Sequence, residues 1–247
     1  MNNVDHAPSV GCFLTTGDSL IAERLAHCEL DYLCIDLQHG FLTESEARYC
    51  IQAISTRPNI RIWVRPSSKS LDHIGRLCDW GVHTLLLPMI ETPDEVAAAI
   101  AATRYPPSGS RSFGPIRPSF VKPVANELLD RPVQVFVMIE TLAAIDNLEE
   151  IAAVPGLSGI YFGPTDLGIA MGYGARDPFA SKTRMAEVMR LGIETARRHG
   201  IFCASHAPTP TEASTILKMG FDHVTLGNDL VIFAATINDL ARKSRSE

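Results

Sequence analysis

Short apolar runs alternate with amphipathic segments along most of this chain. Most of the apolar runs are continuous, which is typical of parallel strands buried on both faces. The intervening segments have apolar residues at helical spacing, and capping signals such as Thr43 with Glu46 and Thr92 with Pro93 precede two of them. The pattern predicts strands over residues 9–15, 32–37, 60–64, 84–90, 133–139, 159–162, 201–204 and 223–226. It predicts helices over residues 18–28, 43–55, 71–80, 93–103, 143–153, 183–199, 211–219 and 230–242.

Eight strand–helix units close most naturally into a (β/α)8 barrel, and 247 residues suit one such domain. We therefore expect an α/β fold, a single TIM barrel over residues 1–247. An open, doubly wound sheet is the alternative, and the absence of a Gly-x-Gly-x-x-Gly turn after the first strand weighs against it. Residues 105–123 are expected to form a long irregular loop, usually a sign of function, and residues 168–174 a glycine-rich loop.

Composition and charge indicate which partners and which cell compartment to expect. The formal net charge is −6, and Lys and Arg form no stripe, which argues against a nucleic-acid-binding protein. None of the six cysteines forms a Cys-x-x-Cys pair, so reduced, buried thiols are expected. The first residues lack the pattern of a signal peptide, and no apolar run approaches the about 18 residues of a membrane span. These features predict a cytoplasmic protein without a membrane partner.

Candidate chemistry lies where the predicted strands end, because active sites of such barrels form at the carboxyl ends of the strands. Polar residues follow five of the eight strands there. They are Asp36, Gln38 and His39 after strand two, Arg65 after strand three, Glu140 after strand five, Gly163-Pro164-Thr165-Asp166 after strand six, and Asn228-Asp229 after strand eight.

Glu140 and Asp166 end consecutive strands, so their carboxylates can converge on one point. Carboxylate oxygens suit Mg²⁺ or Mn²⁺, whereas Zn²⁺ would favour more His or Cys ligands. His39 has a pKa range that suits a general base, and the planar fork of Arg65 suits a carboxylate or an enolate oxygen. The alternatives are that the two acids only cap helices, that His39 is structural, and that Arg65 lies at the surface.

Six motifs, four of which contain these residues, resemble in the same order those of the HpcH/HpaI aldolases. That family comprises class II, pyruvate-dependent aldolases of 2-keto-3-deoxy-glucarate, 4-hydroxy-2-oxoheptanedioate and similar hydroxy-oxo acids. The resemblance runs from about Gly11 to Ala235. The motifs are Asp36-x-x-His39, Val64-Arg65-Pro66, Leu87-Pro88-Met89, Arg104-Tyr105-Pro106-Pro107-x-Gly109-x-Arg111, Ile139-Glu140-Thr141 and Gly163-Pro164-Thr165-Asp166-Leu167.

The resemblance implies an aldolase that cleaves 4-hydroxy-2-oxo acids reversibly to pyruvate, or hydroxypyruvate, and an aldehyde through an enolate. It implies a divalent metal, Mg²⁺ or Mn²⁺ with Co²⁺ as a further option, held by Glu140 and Asp166. Backbone N–H groups near Thr165 and Asp166, in the segment that begins with Gly163 and Pro164, would bind the oxo-acid carboxylate.

The resemblance also implies roles for the remaining site residues. Arg65 would steady the enolate oxygen, and His39 would act through water as the base. Asp79 corresponds to a carboxylate that orients this histidine from a neighbouring subunit, and Asp36 to an acid close to the site. Phe13 would contact substrate where many relatives have Trp. A metal-bound route is favoured over a Schiff base, because no lysine other than a poorly placed Lys69 lies near a strand end.

Departures from the family pattern leave the substrate open. Gln38 replaces a common Glu and Met138 a common Gln, in addition to Phe13. The aldehyde, and the choice between pyruvate and hydroxypyruvate, therefore stay undetermined. An oxaloacetate decarboxylase or a citryl-CoA-type lyase on the same site, or a non-catalytic oxo-acid-binding barrel, are the alternative functions.

The resemblance implies a homohexamer, a trimer of dimers, in which the last helix crosses a subunit boundary. The apolar stretch 230–235 fits that role, although it could instead pack on its own barrel. We also expect the segment 108–122, with Arg111, Arg117 and Lys122, to reach its own or a neighbour's active site and bind the aldehyde. A clamp between subunits is the alternative for this segment.

Overall fold

Eight parallel strands close into a barrel in sequence order in the computed structural model. The structure describes residues 7–121, 132–173 and 182–246. The strands are β1 Ser9–Leu14, β2 Tyr32–Asp36, β3 Arg61–Arg65, β4 Thr84–Leu87, β5 Gln134–Ile139, β6 Gly159–Phe162, β7 Phe202–Ala207 and β8 His223–Asn228. The barrel prediction is confirmed, and the open sheet is wrong because β1 pairs with both β2 and β8.

Helices cover the outside of the barrel and follow the strands in the expected alternation. They are α1 Ser19–Ala26, α2 Glu44–Ile54, α3 Leu71–Asp79, α4 Pro93–Thr103, α5 Ile116–Val121, α6 Leu142–Asp146, α7 Leu148–Ala152, α8 Pro164–Ala170, α9 Lys182–His199, α10 Pro210–Met219 and α11 Asp229–Lys243. The predicted capping box of α2 forms between Thr43 and Glu46. Thr92 caps α4 and Pro93 begins it, as predicted, and Glu95 completes a second capping box there. Within the described ranges, no helix has the length and apolar character that a membrane span requires.

Alternate residues along each strand enter two different cores. On β2, Leu33 and Ile35 pack outward against the helices, whereas Tyr32 and Cys34 pack inside the barrel with Trp63. Because side chains alternate with period two, the next inward position is Asp36, in register with Arg65 on β3. On β5, Phe136 and Met138 likewise pack inside the barrel, and the next inward position is Glu140, directly after the strand. The barrel therefore brings these strand-end residues to one mouth.

Several element boundaries differ from the prediction. Residues 105–123 are not wholly irregular, because α5 forms within them, and Lys122 lies outside the described residues. The expected glycine-rich loop begins inside a helix, since α8 extends to Ala170. The helix expected over residues 143–153 is two short helices that meet at Asn147. Strand β7 continues to Ala207, three residues beyond its predicted end, because it pairs with β8 up to Leu226.

Helix α11 has an apolar face that its own barrel leaves exposed. Asp229 is its buried residue, and Phe233 is 67% exposed. The neighbouring Val231 and Ile232 are also exposed, so the alternative that this stretch packs on its own barrel is wrong. Asp229 instead fixes the start of the helix, since its carboxylate accepts hydrogen bonds from the backbone and hydroxyl groups of Thr15 and Thr16.

Candidate active site

A cavity of about 340 Å³ opens at the carboxyl ends of the strands. Its position agrees with the predicted location of the site, and its size suits a small-molecule ligand. Most of the predicted site residues line it. The lining residues are Phe13, Thr15, Asp36, His39, Arg65, Met138, Tyr161, Gly163, Pro164, Thr165, Asp166, His206 and Asn228.

Arg65 and Asp36 form a buried, two-pronged ion pair in the cavity wall. Arg65 Nε lies 2.9 Å from Asp36 Oδ1, and Nη2 lies 2.6 Å from Oδ2. Burial acts to lower the pKa of Arg65, but the hydrogen bond and charge of Asp36 outweigh it and raise this pKa, so the guanidinium stays charged. The guanidinium carbon of Arg65, Cζ, also lies 4.7 Å from the ring centroid of Phe13. The pairing leaves Nη1, 4.0 Å from the Met138 sulfur, available to a ligand.

Asp36 also shapes the turn that carries His39. Its Oδ1 accepts hydrogen bonds from the backbone N–H groups of Gln38 and His39, at 3.1 and 3.2 Å. Gly40 is required here, because a Cβ on it would lie 2.2 Å from the Asp36 carbonyl oxygen. The His39 side chain is exposed at the mouth of the cavity. One buried carboxylate thus orients both the guanidinium and the loop bearing the imidazole.

Glu140 is buried beside the cavity and is held by a backbone donor. Its Oε1 accepts a hydrogen bond of 2.7 Å from the Met89 N–H, and Met89 has an unusual positive φ of 54°. The Met89 carbonyl accepts from Lys69 Nζ at 2.8 Å. Burial and the charge of Asp166 raise the pKa of Glu140, while the Met89 hydrogen bond and Arg65 oppose that rise. A cation would relieve the cost of keeping this buried carboxylate ionised.

Asp166 approaches Glu140 from the first turn of α8. Gly163 precedes that helix and Pro164 begins it. A Cβ on Gly163 would lie 2.7 Å from Glu140 Oε2, so the glycine leaves room beside the carboxylate. Across the described ranges, no group of three or more His, Cys, Asp or Glu residues forms a metal cluster. Two carboxylates, with the other positions left to water and substrate, fit Mg²⁺ or Mn²⁺ and not a structural Zn²⁺.

Asp79 lies at the opposite end of the barrel from His39 of the same chain. It ends α3, and its carboxylate pairs with the guanidinium of Arg111. Arg111 in turn stacks over the Tyr105 ring at 4.6 Å. Arg117 also lies at this end, where it donates to the Trp80 carbonyl at 2.8 Å. The part of the loop hypothesis in which Arg117 reaches its own active site is therefore wrong, and contact with a neighbour's site stays a prediction.

Three cavity residues were missed by sequence reasoning: Thr15, Tyr161 and His206. His206 was overlooked because the predicted strand ended at Ala204, two residues too early to give His206 an inward position. Period-two alternation from Ala204, which packs in the inner core, would have identified it had the strand been predicted longer. Asn228 was noted at its strand end, and it both lines the cavity and caps α11 by accepting from the Val231 N–H.

Comparisons with known proteins cover nearly the whole chain. The family model for HpcH/HpaI aldolase/citrate lyase matches residues 9–235. A hydroxypyruvate/pyruvate aldolase of Paraburkholderia phytofirmans is 34% identical over 243 residues, 95% of this chain and 88% of that protein. A 4-hydroxy-2-oxo-heptane-1,7-dioate aldolase of Salmonella heidelberg is 34% identical over 97% of this chain and 91% of its own length. The structure of an HpcH/HpaI aldolase/citrate lyase family protein of Burkholderia cenocepacia superposes with a TM-score of 0.87 and 25% identity, covering 96% of this chain and 95% of that one.

Proposed function

This chain belongs to the HpcH/HpaI aldolase/citrate lyase family, and we propose that its strand-end cavity cleaves 4-hydroxy-2-oxo acids reversibly. The products are pyruvate, or hydroxypyruvate, and an aldehyde. The observation that carries this proposal is the convergence of Arg65 with Glu140 and Asp166 beside one small cavity. The relatives that share a third of its sequence are named as aldolases, which supports this activity over a decarboxylase, a citryl-CoA-type lyase or a binding module.

Binding of the oxo acid begins with the two carboxylates. Family members generally depend on a divalent metal, and Glu140 and Asp166 would hold Mg²⁺ or Mn²⁺. When bound, the cation supplies positive charge for a 2-oxo acid and for the negative charge that develops as the carbon–carbon bond breaks. The first N–H groups of α8, at Thr165 and Asp166, have no acceptor within the helix and would bind the substrate carboxylate.

Arg65 stabilises the developing enolate oxygen. Cleavage of a β-hydroxy ketone transfers an electron pair toward the former keto oxygen, and a fixed guanidinium favours that charge. The two hydrogen bonds to Asp36 fix its orientation before substrate arrives. Phe13 packs on the guanidinium and excludes water from that side.

His39 accepts the proton that leaves the substrate hydroxyl as the aldehyde departs, acting through water. Its exposed position at the cavity mouth suits a group that meets the aldehyde half of the substrate. A Schiff-base route has no support from Lys69, because its amine is engaged by the Met89 carbonyl and the Glu95 carboxylate.

A homohexamer completes the proposal. The exposed apolar face of α11 would be buried against another subunit. Such packing would allow Asp79, remote from its own cavity, to orient the His39 of a neighbour. We propose that the whole chain is one domain that acts in the cytoplasm.

Proton exchange tests the proposed activity. Pyruvate and hydroxypyruvate are incubated with the protein and Mg²⁺ in deuterated buffer, and loss of the C3 proton signal is followed by NMR. A panel of aldehydes is then offered, and aldol products are measured. We expect exchange and aldol formation in the wild type, and neither in Glu140→Ala despite a folded barrel. Exchange that persists in excess chelator, or its absence in the metal-loaded wild type, would contradict the proposal.

A further inference from the structure

His206 is a polar side chain of the cavity wall that has no role in the steps above. His206 lies on the inner side of β7, and its ring contacts Phe13 with centroids 5.6 Å apart. Its Nδ1 is enclosed by protein and meets no hydrogen-bond partner. The ring is only partly buried, and its remaining edge lines the cavity. A hydrogen-bonding ring is therefore set into the cavity wall beside the apolar ring of Phe13.

The surroundings of His206 favour its neutral form. Burial lowers its pKa, and the positive charge of Arg65 acts in the same direction, whereas a hydrogen bond with the Thr225 backbone and the charge of Glu212 oppose that fall. A neutral imidazole offers one N–H donor and one lone pair. It therefore suits an uncharged hydroxyl group, which both donates and accepts, better than it suits a carboxylate.

The depth of His206 decides which half of the substrate it meets. Its neighbour Phe13 is 6% exposed and also contacts Arg65, the group assigned to the oxo-acid half. His39, in contrast, is exposed at the mouth, where the aldehyde enters and leaves. His206 therefore faces the deeply bound oxo acid.

We propose that His206 determines specificity for the nucleophile by binding a hydroxyl group on C3 of the 2-oxo acid. The inference rests on the proposed aldolase function and deepens it, because it selects hydroxypyruvate-type over pyruvate-type substrates. A methyl group at C3 offers no hydrogen bond to the ring edge of His206 that lines the cavity, whereas a hydroxyl group does. Sites that bind a substrate hydroxyl discriminate against analogues that lack it.

The test compares the two nucleophiles with one neutral aldehyde. kcat/KM for hydroxypyruvate and for pyruvate is measured in the metal-loaded wild type, His206→Leu and His206→Gln. We expect the wild type to prefer hydroxypyruvate. We expect the ratio of the two constants to fall about tenfold in His206→Leu, the loss of one hydrogen bond, and to recover partly in His206→Gln. His206→Phe, which keeps the ring packing on Phe13, provides a second apolar variant if His206→Leu does not fold.

The outcomes distinguish failure of the role of His206 from failure of the proposed aldolase function. A ratio in His206→Leu and His206→Phe that stays within about twofold of the wild type, or a wild type that prefers pyruvate, would overturn the role of His206 while leaving the aldolase intact. Absence of proton exchange from both oxo acids in the metal-loaded wild type would instead overturn the proposed function itself.

Discussion

Adding one methyl group at Gly163 should displace a proposed metal ligand without altering the backbone. Gly163 has φ −96° and ψ 86°, and its negative φ is accessible to alanine. The new Cβ would lie 2.7 Å from Glu140 Oε2, 3.1 Å from Met138 Cε and 3.2 Å from Glu140 Cβ. Ordinary contact begins near 3.4 Å, so the carboxylate must move by several tenths of an ångström.

That movement works against the hydrogen bond that fixes Glu140. Its Oε1 accepts a hydrogen bond of 2.7 Å from the Met89 N–H, so a shift of the carboxyl group stretches this bond or rotates Oε2 away from its position beside Gly163. A hydrogen bond to a charged group contributes about 1.5–3 kcal/mol. Loss of a group that orients a metal ligand typically weakens metal affinity about 10–100-fold. We therefore expect Gly163→Ala to bind Mn²⁺ at least about tenfold more weakly.

Isothermal titration with Mn²⁺ measures this effect directly, with thermal melting of the metal-free protein as the check on folding. Gly75→Ala is the matched control, because a Cβ on Gly75 in α3 would meet nothing within 4 Å. Alanine there should leave Mn²⁺ affinity unchanged and raise stability by about 0.5–1 kcal/mol. Wild-type Mn²⁺ affinity in a folded Gly163→Ala protein would refute the assignment of Glu140 as a ligand positioned beside this glycine.

Three further predictions follow from other contacts. Burial lowers the pKa of His223 to about 4 from a usual 6.5. Because the unfolded chain therefore binds this proton at a higher pH, the free energy of unfolding should fall by about 3 kcal/mol as the pH drops from 6.5 to 4. Urea unfolding of His223→Gln should not show this pH-dependent loss. Lys69→Met removes the hydrogen bond to the Met89 carbonyl and should weaken Mn²⁺ binding several-fold, and Lys69→Arg should restore it. Equal Mn²⁺ affinities in the wild type and Lys69→Met would contradict a role of Lys69 in positioning Glu140 through Met89. Phe233→Asp should convert the assembly to smaller species in light scattering, and an unchanged mass would exclude this face as an interface.

The sequence by itself determined the barrel and most of its mouth. Continuous apolar runs mark strands buried on both faces, and capping pairs such as Thr43 with Glu46 mark where helices begin. Both signals are local, because strand alternation and helix capping depend on residues only a few positions apart. Since the carboxyl ends of parallel strands share one edge, Arg65 and Asp166 could be assigned to one site before any contact was known.

Only the tertiary structure decided the contacts that tune this site. His206 entered the cavity because pairing with β8 extended β7, and the length of a strand depends on its neighbour. The positive φ of Met89, which turns its N–H toward Glu140, depends on a partner that lies 51 residues away. The raised pKa of Glu140 likewise depends on burial by distant segments. Hydrophobic periodicity carries no information on such cross-strand pairing or desolvation, because both depend on which remote groups the closed barrel brings together.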